Sequence, residues 1–203
     1  MTAIFESPAE TLGEHIDRLA GIEAQAESVQ AWQPMLIPGL LQCYTYACAS
    51  IRAASPAVPL EVVADRADAR RQRIDRLGKP GARQITVIVD EAALHRPVGG
   101  HQALADQLEH LLAVEALQPS LSIRVLPQGG QEHPGLLGAF TLYRAGGQRA
   151  VFTESLTDST ISTRPEDVAA YAAAWERLTA LTLSPQESVQ LIDGVRGNLC
   201  RRG

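Results

Sequence analysis

Apolar positions recur along this chain at two spacings, and the changes between them mark its elements. Across residues 13–33, Ile16, Leu19, Ile22 and Val29 follow an approximately helical period up to Pro34, which predicts a first helix. Pro38 and Gly39 interrupt the run MLIPGLLQ, after which residues 41–54 read as a second helix with Tyr44, Cys48 and Ile51 on one stripe. Residues 61–77 form a third predicted helix, with Val63, Ala67, Arg70, Ile74 and Leu77 sharing a face and GKPG at 78–81 closing it.

The period then changes. Residues 84–89 are short, apolar and rich in β-branched side chains, the pattern of a strand buried on both faces. Residues 101–117 return to helical spacing through Leu104, Leu108, Leu111 and Leu112, and residues 122–126 alternate as a second strand. A strand, helix and strand in this order predict a crossover unit with parallel pairing. Beyond a Gly- and Pro-rich loop at 127–138, residues 139–143 and 150–154 read as a hairpin joined through AGGQ.

Thr163 with Glu166 and Ser184 with Glu187 match the capping-box spacing, which predicts two C-terminal helices. The first presents Val168, Tyr171, Trp175 and Leu178 to one side, and the second Val189, Ile192 and Val195. Together these elements predict one α/β domain over residues 1–203. Its mixed sheet has four to five strands, with helices of the N-terminal half and the two C-terminal helices packed on it.

Composition adds exclusions. The chain has 203 residues, is 45% hydrophobic and 20% charged, and carries a net charge of -5. That charge has the wrong sign for a surface that neutralises phosphates, so direct nucleic-acid binding is not expected. Cys43, Cys48 and Cys200 form no CxxC pair, so free thiols in a reducing interior are expected. The start MTAIFESPAE has no signal-peptide pattern, and no run reaches the roughly 18 apolar residues of a membrane helix. A cytoplasmic location without membrane contact follows as the expectation.

Open α/β sheets bind ligands beyond the carboxyl ends of their parallel strands, so polar residues there are the candidates for chemistry. Asp90, Glu91, His95 and Arg96 follow the first clear strand, His133 lies in the central loop, and Glu154 and Asp158 follow the last strand. If Phe152 faces the core, strand periodicity puts Glu154 on the same face, where burial would raise its pKa unless an arginine such as Arg164 or Arg96 compensates. Glu154 and His133 are therefore the candidate catalytic groups, with Glu154 also a candidate amine ligand. Asp90 and Glu91, as adjacent strand residues, point apart and are expected to serve as a helix cap and a surface charge.

His95, Arg96 and the glycines at 99 and 100 would suit either an anion nest or a plain turn into the next helix. Trp32 and Tyr44, with Tyr46, are candidates to line a small-molecule pocket near LIPGLLQ, and the same residues would also serve helix packing. Arg66, Arg70 and Arg73 interleave with Asp65, Asp68 and Asp75, which reads as a solvated charged face. His101, His110 and His133 lack paired ligand spacing, so no metal is expected. With no GxSxG, Walker or GxGxxG motif, no cofactor is expected either.

Eight ordered phrases carry a resemblance: QPMLIPGLLQ, RADARRQ, VIVDEAALHRPVGG, QLEHLL, IRVLPQGG, GAFTLYR, TESLTDSTISTRPEDVAAY and LTLSPQES. Over residues 14–193 the chain resembles the uncharacterised sensor-type domain that follows an Xre-type helix-turn-helix in many actinobacterial regulators. Here no helix-turn-helix precedes the phrases, and a stand-alone chain is the expectation. CYTYACAS stands where the family has a TxxYA-type stretch, which brings Cys43 and Cys48 near the expected pocket.

The resemblance implies a domain that binds a small molecule or a helix-turn-helix regulator protein, and it brings no catalytic residue with it. The alternative is a repurposed enzyme of specialised metabolism, carrying out cyclase, isomerase or lyase acid/base chemistry in a closed pocket.

Overall fold

The structure, a computed structural model, describes residues 21–23, 25–77, 84–129, 132–155 and 159–201. The expected GKPG stop, Asp158 and the stretch 13–20 of the expected first helix lie outside the described residues.

Six strands form one sheet: β1 (Ser28–Gln33), β2 (Gln84–Asp90), β3 (Leu121–Leu126), β4 (Phe140–Ala145), β5 (Gln148–Glu154) and β6 (Ser159–Ser162). Their order is β3-β2-β1-β4-β5-β6. β1, β2 and β3 run parallel, while β4, β5 and β6 continue antiparallel from β1. The α/β class and mixed sheet are as the sequence predicts, with six strands in place of four to five.

The extra strands are β1 and β6. Residues 21–23 and 25 are helical, but the expected helix does not run to 33, because Ser28–Gln33 is the strand that β2 and β4 flank. Trp32 pairs with Ile88 on one side and Phe140 on the other.

The helices are α1 (Tyr44–Ala54), α2 (Leu60–Leu77), α3 (Glu91–Leu94), α4 (His101–Leu117), α5 (Pro165–Leu181) and α6 (Pro185–Cys200). Strand alternation gives the sheet two apolar faces. One carries Val29, Ala31, Val87 and Ile123 against α4, α6 and the LIPGLLQ segment, whose Ile37, Leu40 and Leu41 are buried. The other carries Trp32, Ile88, Phe140, Leu142 and Val151 against Trp175 and Leu178 of α5. Thus α4 is the expected crossover between parallel strands, and the two C-terminal helices cover opposite faces.

Each local device has a physical cause. The β4–β5 hairpin turns at Gly146 and Gly147, whose φ values of 55° and 78° suit a two-residue turn matched to strand twist. Ser184 and Glu187 form the expected capping box. The Ser184 hydroxyl, followed by its backbone amide, holds the Glu187 carboxyl below the ordinary glutamate value. Thr163 does not cap α5: Arg164 occupies the N-cap, Pro165 follows it, and Glu166 turns to the Arg164 guanidinium at 2.6 Å.

The outer edge of β3 is closed from α6. The Val125 amide donates to Ser188 Oγ at 2.9 Å, and the Leu183 amide donates to the Val125 carbonyl at 2.9 Å. Paired in this way, β3 presents fewer free amides and carbonyls to other chains.

On the sheet face that α4 and α6 cover, Gln107 of α4 is fully buried and clasps the LIPGLLQ segment. Its Nε2 donates to the Leu41 carbonyl, and its Oε1 accepts from the Cys43 amide, both at 2.8 Å. Arg70 of α2 donates to Gln42 Oε1 at 2.7 Å and to Ser50 Oγ at 3.0 Å. It belongs to a polar clamp between α1 and α2, where the sequence reading expects a solvated charged face.

Candidate functional site

The pairing directions bring the carboxyl ends of β1, β2, β3 and β5 to one rim of the sheet, together with the amino ends of β4 and β6. Gln33, Asp90, Leu126 and Glu154 close their strands there. On the α5 side of this rim is an open cleft of about 440 Å³, within the usual range for small-molecule pockets.

Its walls come from three elements. Pro134 and Leu137 belong to a 3₁₀ turn, Pro134–Leu137, that precedes β4. Phe140, Thr153, Ser159 and Thr160 come from the strand ends, and Ala170, Tyr171 and Ala174 from α5. The Phe140 and Tyr171 rings pack at 5.0 Å between centroids with their planes tilted by 59°. Ser155 and Glu154 also line it, and Glu154 is its one charged residue among the described residues.

Trp32 supports the 3₁₀ wall from beneath. It is fully buried, as a large indole at a sheet centre should be, and its N–H needs a partner. The partner is the Gly135 carbonyl at 2.9 Å. A Cβ on Gly135 would lie 2.6 Å from indole Cε2 and Nε1, so only glycine lets the turn sit this close. His133 meets the same indole edge-on at 5.6 Å, and its Nδ1 is buried with no hydrogen-bond partner among the described residues.

The residues singled out from sequence separate into three places. Glu154 lines the cleft, and His133 and Trp32 lie behind its 3₁₀ wall. Glu154 is exposed, not buried as the strand period suggests, because the sheet ends at its position. Arg164 binds Glu166 and Asp167, and the Arg96 guanidinium reaches Met35 Sδ at 4.0 Å, so neither arginine pairs with Glu154.

Asp90, His95 and Arg96 form a second group around α3. Asp90 caps α3 by accepting from the Ala92 amide at 2.8 Å. Glu91 stands 3.5 Å from His95 Nε2 and accepts from the Gln128 amide at 2.8 Å, tying α3 to the loop after β3. None of these side chains lines the cleft.

Tyr44 is in the third place. It begins α1, on the side of the sheet covered by α4 and α6, and is 41% exposed. Its hydrogen bond to the Cys48 thiol pushes its phenol above the ordinary tyrosine value. Tyr46 is core: its hydroxyl accepts from the Ile37 amide at 3.4 Å, and burial raises its pKa. The cleft is therefore lined by other residues than LIPGLLQ and Tyr44.

Sequence reasoning missed Phe140, Thr153, Ser159, Thr160 and Tyr171 as site residues. Tyr171 was visible on the apolar stripe of α5, but helical periodicity alone cannot show that the sheet rim leaves its ring facing a cleft.

Among the described residues, no group of three His, Cys, Asp or Glu side chains could hold a metal ion, and no helix is long and apolar enough to cross a membrane. A family model described as a domain of unknown function (DUF5753) matches residues 16–194. No curated protein matches the chain.

Proposed function

The chain belongs to the DUF5753 family, and from that premise we propose that it is a small-molecule-binding module whose ligand occupies the cleft between α5 and the 3₁₀ turn. The observation that carries the proposal is the cleft wall, where an aromatic pair, four serine and threonine residues and one acidic residue line a space of ligand size. A mostly apolar wall with a few placed polar groups holds a ligand by burial and orients it by hydrogen bonds.

In its resemblance to the sensor-type domains of Xre-type regulators, the chain takes the role of an effector domain, with a helix-turn-helix regulator protein as the partner that reads occupancy. The acid/base alternative gains less from the geometry. His133, the second group it would use, stands against Trp32 and does not line the cleft.

A fragment screen by thermal shift tests the proposal. A fragment present at about a hundred times its Kd is expected to raise the melting temperature by roughly 5–10 °C and to be recovered chemically unchanged. Tyr171→Ala should weaken that fragment by at least about tenfold, the scale of losing one aromatic contact in a desolvated pocket. Equal affinity in the Tyr171→Ala protein would reject the cleft as the site. Conversion of the fragment to a product would favour the enzyme instead.

A further inference from the structure

We infer that the cleft takes aromatic compounds bearing a neutral hydroxyl or carbonyl, lying across the strands with the ring at Phe140 and Tyr171 and the oxygen on the Thr153–Thr160 pair. This rests on the cleft being the binding site and adds the chemistry and direction of its occupant.

The strand register builds a row across the sheet on the side that α5 covers. Trp32 pairs with Ile88 and with Phe140, and all three are buried in the apolar layer that holds Trp175 and Leu178. Thr141 pairs with Phe152, so one step further along the same ladder Phe140 meets Thr153, which pairs with Thr160 on β6. Val151, two residues before Thr153, belongs to that apolar layer, and strand alternation puts Thr153 and its partner Thr160 on the same face. The same alternation turns Glu154 to the face of Phe152 and Ile161. Phe140, Thr153 and Thr160 all line the cleft, so the row passes from apolar to hydroxyl where the cleft opens.

Both hydroxyls are uncommitted. No hydrogen bond joins the side chain of Thr153 or Thr160 to another described residue, whereas Ser162, two residues along the same face of β6, donates to Asp167 of α5 at 2.6 Å. Directly paired cross-strand residues have Cβ atoms roughly 5 Å apart, so one ligand oxygen can accept from one threonine and, where it carries a hydrogen, donate to the other. Phe140 and Tyr171, with ring centroids 5.0 Å apart, seat the ring. Neighbouring strands lie about 5 Å apart, which sets ring seat and threonine pair one to two strand spacings from each other, the reach of a phenyl ring with a short alkyl arm.

Two probes with one shared ring test the inference: 3-phenyl-1-propanol and (3-fluoropropyl)benzene, whose fluorine is close to a hydroxyl in size and donates no hydrogen bond. Each is titrated into the whole chain while the NMR resonances of Gly138, Ala170 and Ala174 are followed. The alcohol is expected to bind about fivefold or more tighter than the fluoride, the scale of one neutral hydrogen bond. With Thr153→Val and Thr160→Val combined, which keeps both positions β-branched, the alcohol should fall to the fluoride's affinity. The fluoride should bind that variant at least as well as the parent, which also reports that its cleft is folded.

An alcohol that binds no tighter than the fluoride overturns this inference and leaves cleft binding intact. So does a preference for the alcohol that survives both substitutions. If neither probe moves the cleft resonances, the binding proposal falls and this inference with it.

Discussion

Gly135→Ala is expected to cost about 2–3 kcal/mol of stability, because the new methyl must enter space the Trp32 indole already fills. The approach is 2.6 Å to two indole atoms, closer than any carbon contact a folded core sustains. Neither partner can yield cheaply. Trp32 is enclosed between β2 and β4 with no exposed surface, and its N–H is held by the same Gly135 carbonyl. Relief requires the 3₁₀ turn to lift, breaking the 2.9 Å bond and displacing Pro134 and Leu137 from the cleft wall.

Denaturant unfolding should show that loss, with the melting point lower by roughly 5–10 °C. Fragment affinity should fall as well, measured under conditions where the variant is folded. Leu136→Ala, at a side chain 71% exposed one position on, should stay within about 0.5 kcal/mol of the parent. A Gly135→Ala protein as stable as Leu136→Ala would show that the turn does not rest on Trp32.

Gln107→Leu should cost a comparable amount, about 2–4 kcal/mol, although leucine is as large and more apolar. The side chain has no exposed surface, and its amide satisfies the Leu41 carbonyl and the Cys43 amide, both at 2.8 Å. Leucine leaves both backbone groups without that partner, and an unmet buried polar group costs more than a made hydrogen bond gains. Gln102→Ala is the comparison. It loses a 2.8 Å bond to Asp106 on the exposed face of the same helix and should change stability by less than about 0.5 kcal/mol. If Gln107→Leu unfolds at the parent's denaturant midpoint, water or a local shift satisfies the Leu41 and Cys43 groups.

These two sites show where reading the sequence reaches and where it stops. Helices α2 and α4, the β4–β5 hairpin and the Ser184 capping box were legible because their signals are local: a sustained helical period, a Gly-Gly turn, a hydroxyl three residues before a carboxylate. β1 was not. A strand at the centre of the sheet has both faces buried, so Val29, Ala31 and Trp32 lack clean alternation, and Val29 also extends the helical period begun by Ile16. Its partners, Gln84–Asp90 and Phe140–Ala145, are far along the chain.

β6 was hidden for the opposite reason, since Ser159–Ser162 holds Ile161 as its single apolar residue. Gln107 gave no signal within a leucine-rich helix.

The candidate site was legible by position more than by membership. Choosing polar residues at strand ends leads to the rim that holds the cleft, because the carboxyl ends of four strands meet there. Which face of that rim opens depends on α5 meeting the 3₁₀ turn, a tertiary event with no local signature. Consequently Glu154 lines the cleft while Asp90, His95 and Arg96 knit α3 and its neighbours, and Tyr44 is on the other side of the sheet.

The most direct test maps a bound fragment onto the protein by NMR, residue by residue, with the whole chain and no substitution. The cleft account predicts shifts concentrated at Gly138, Thr153, Ser159, Thr160, Ala170 and Tyr171. Shifts concentrated instead at Tyr44, Cys48 and the LIPGLLQ segment would contradict it and place the ligand on the opposite face of the sheet.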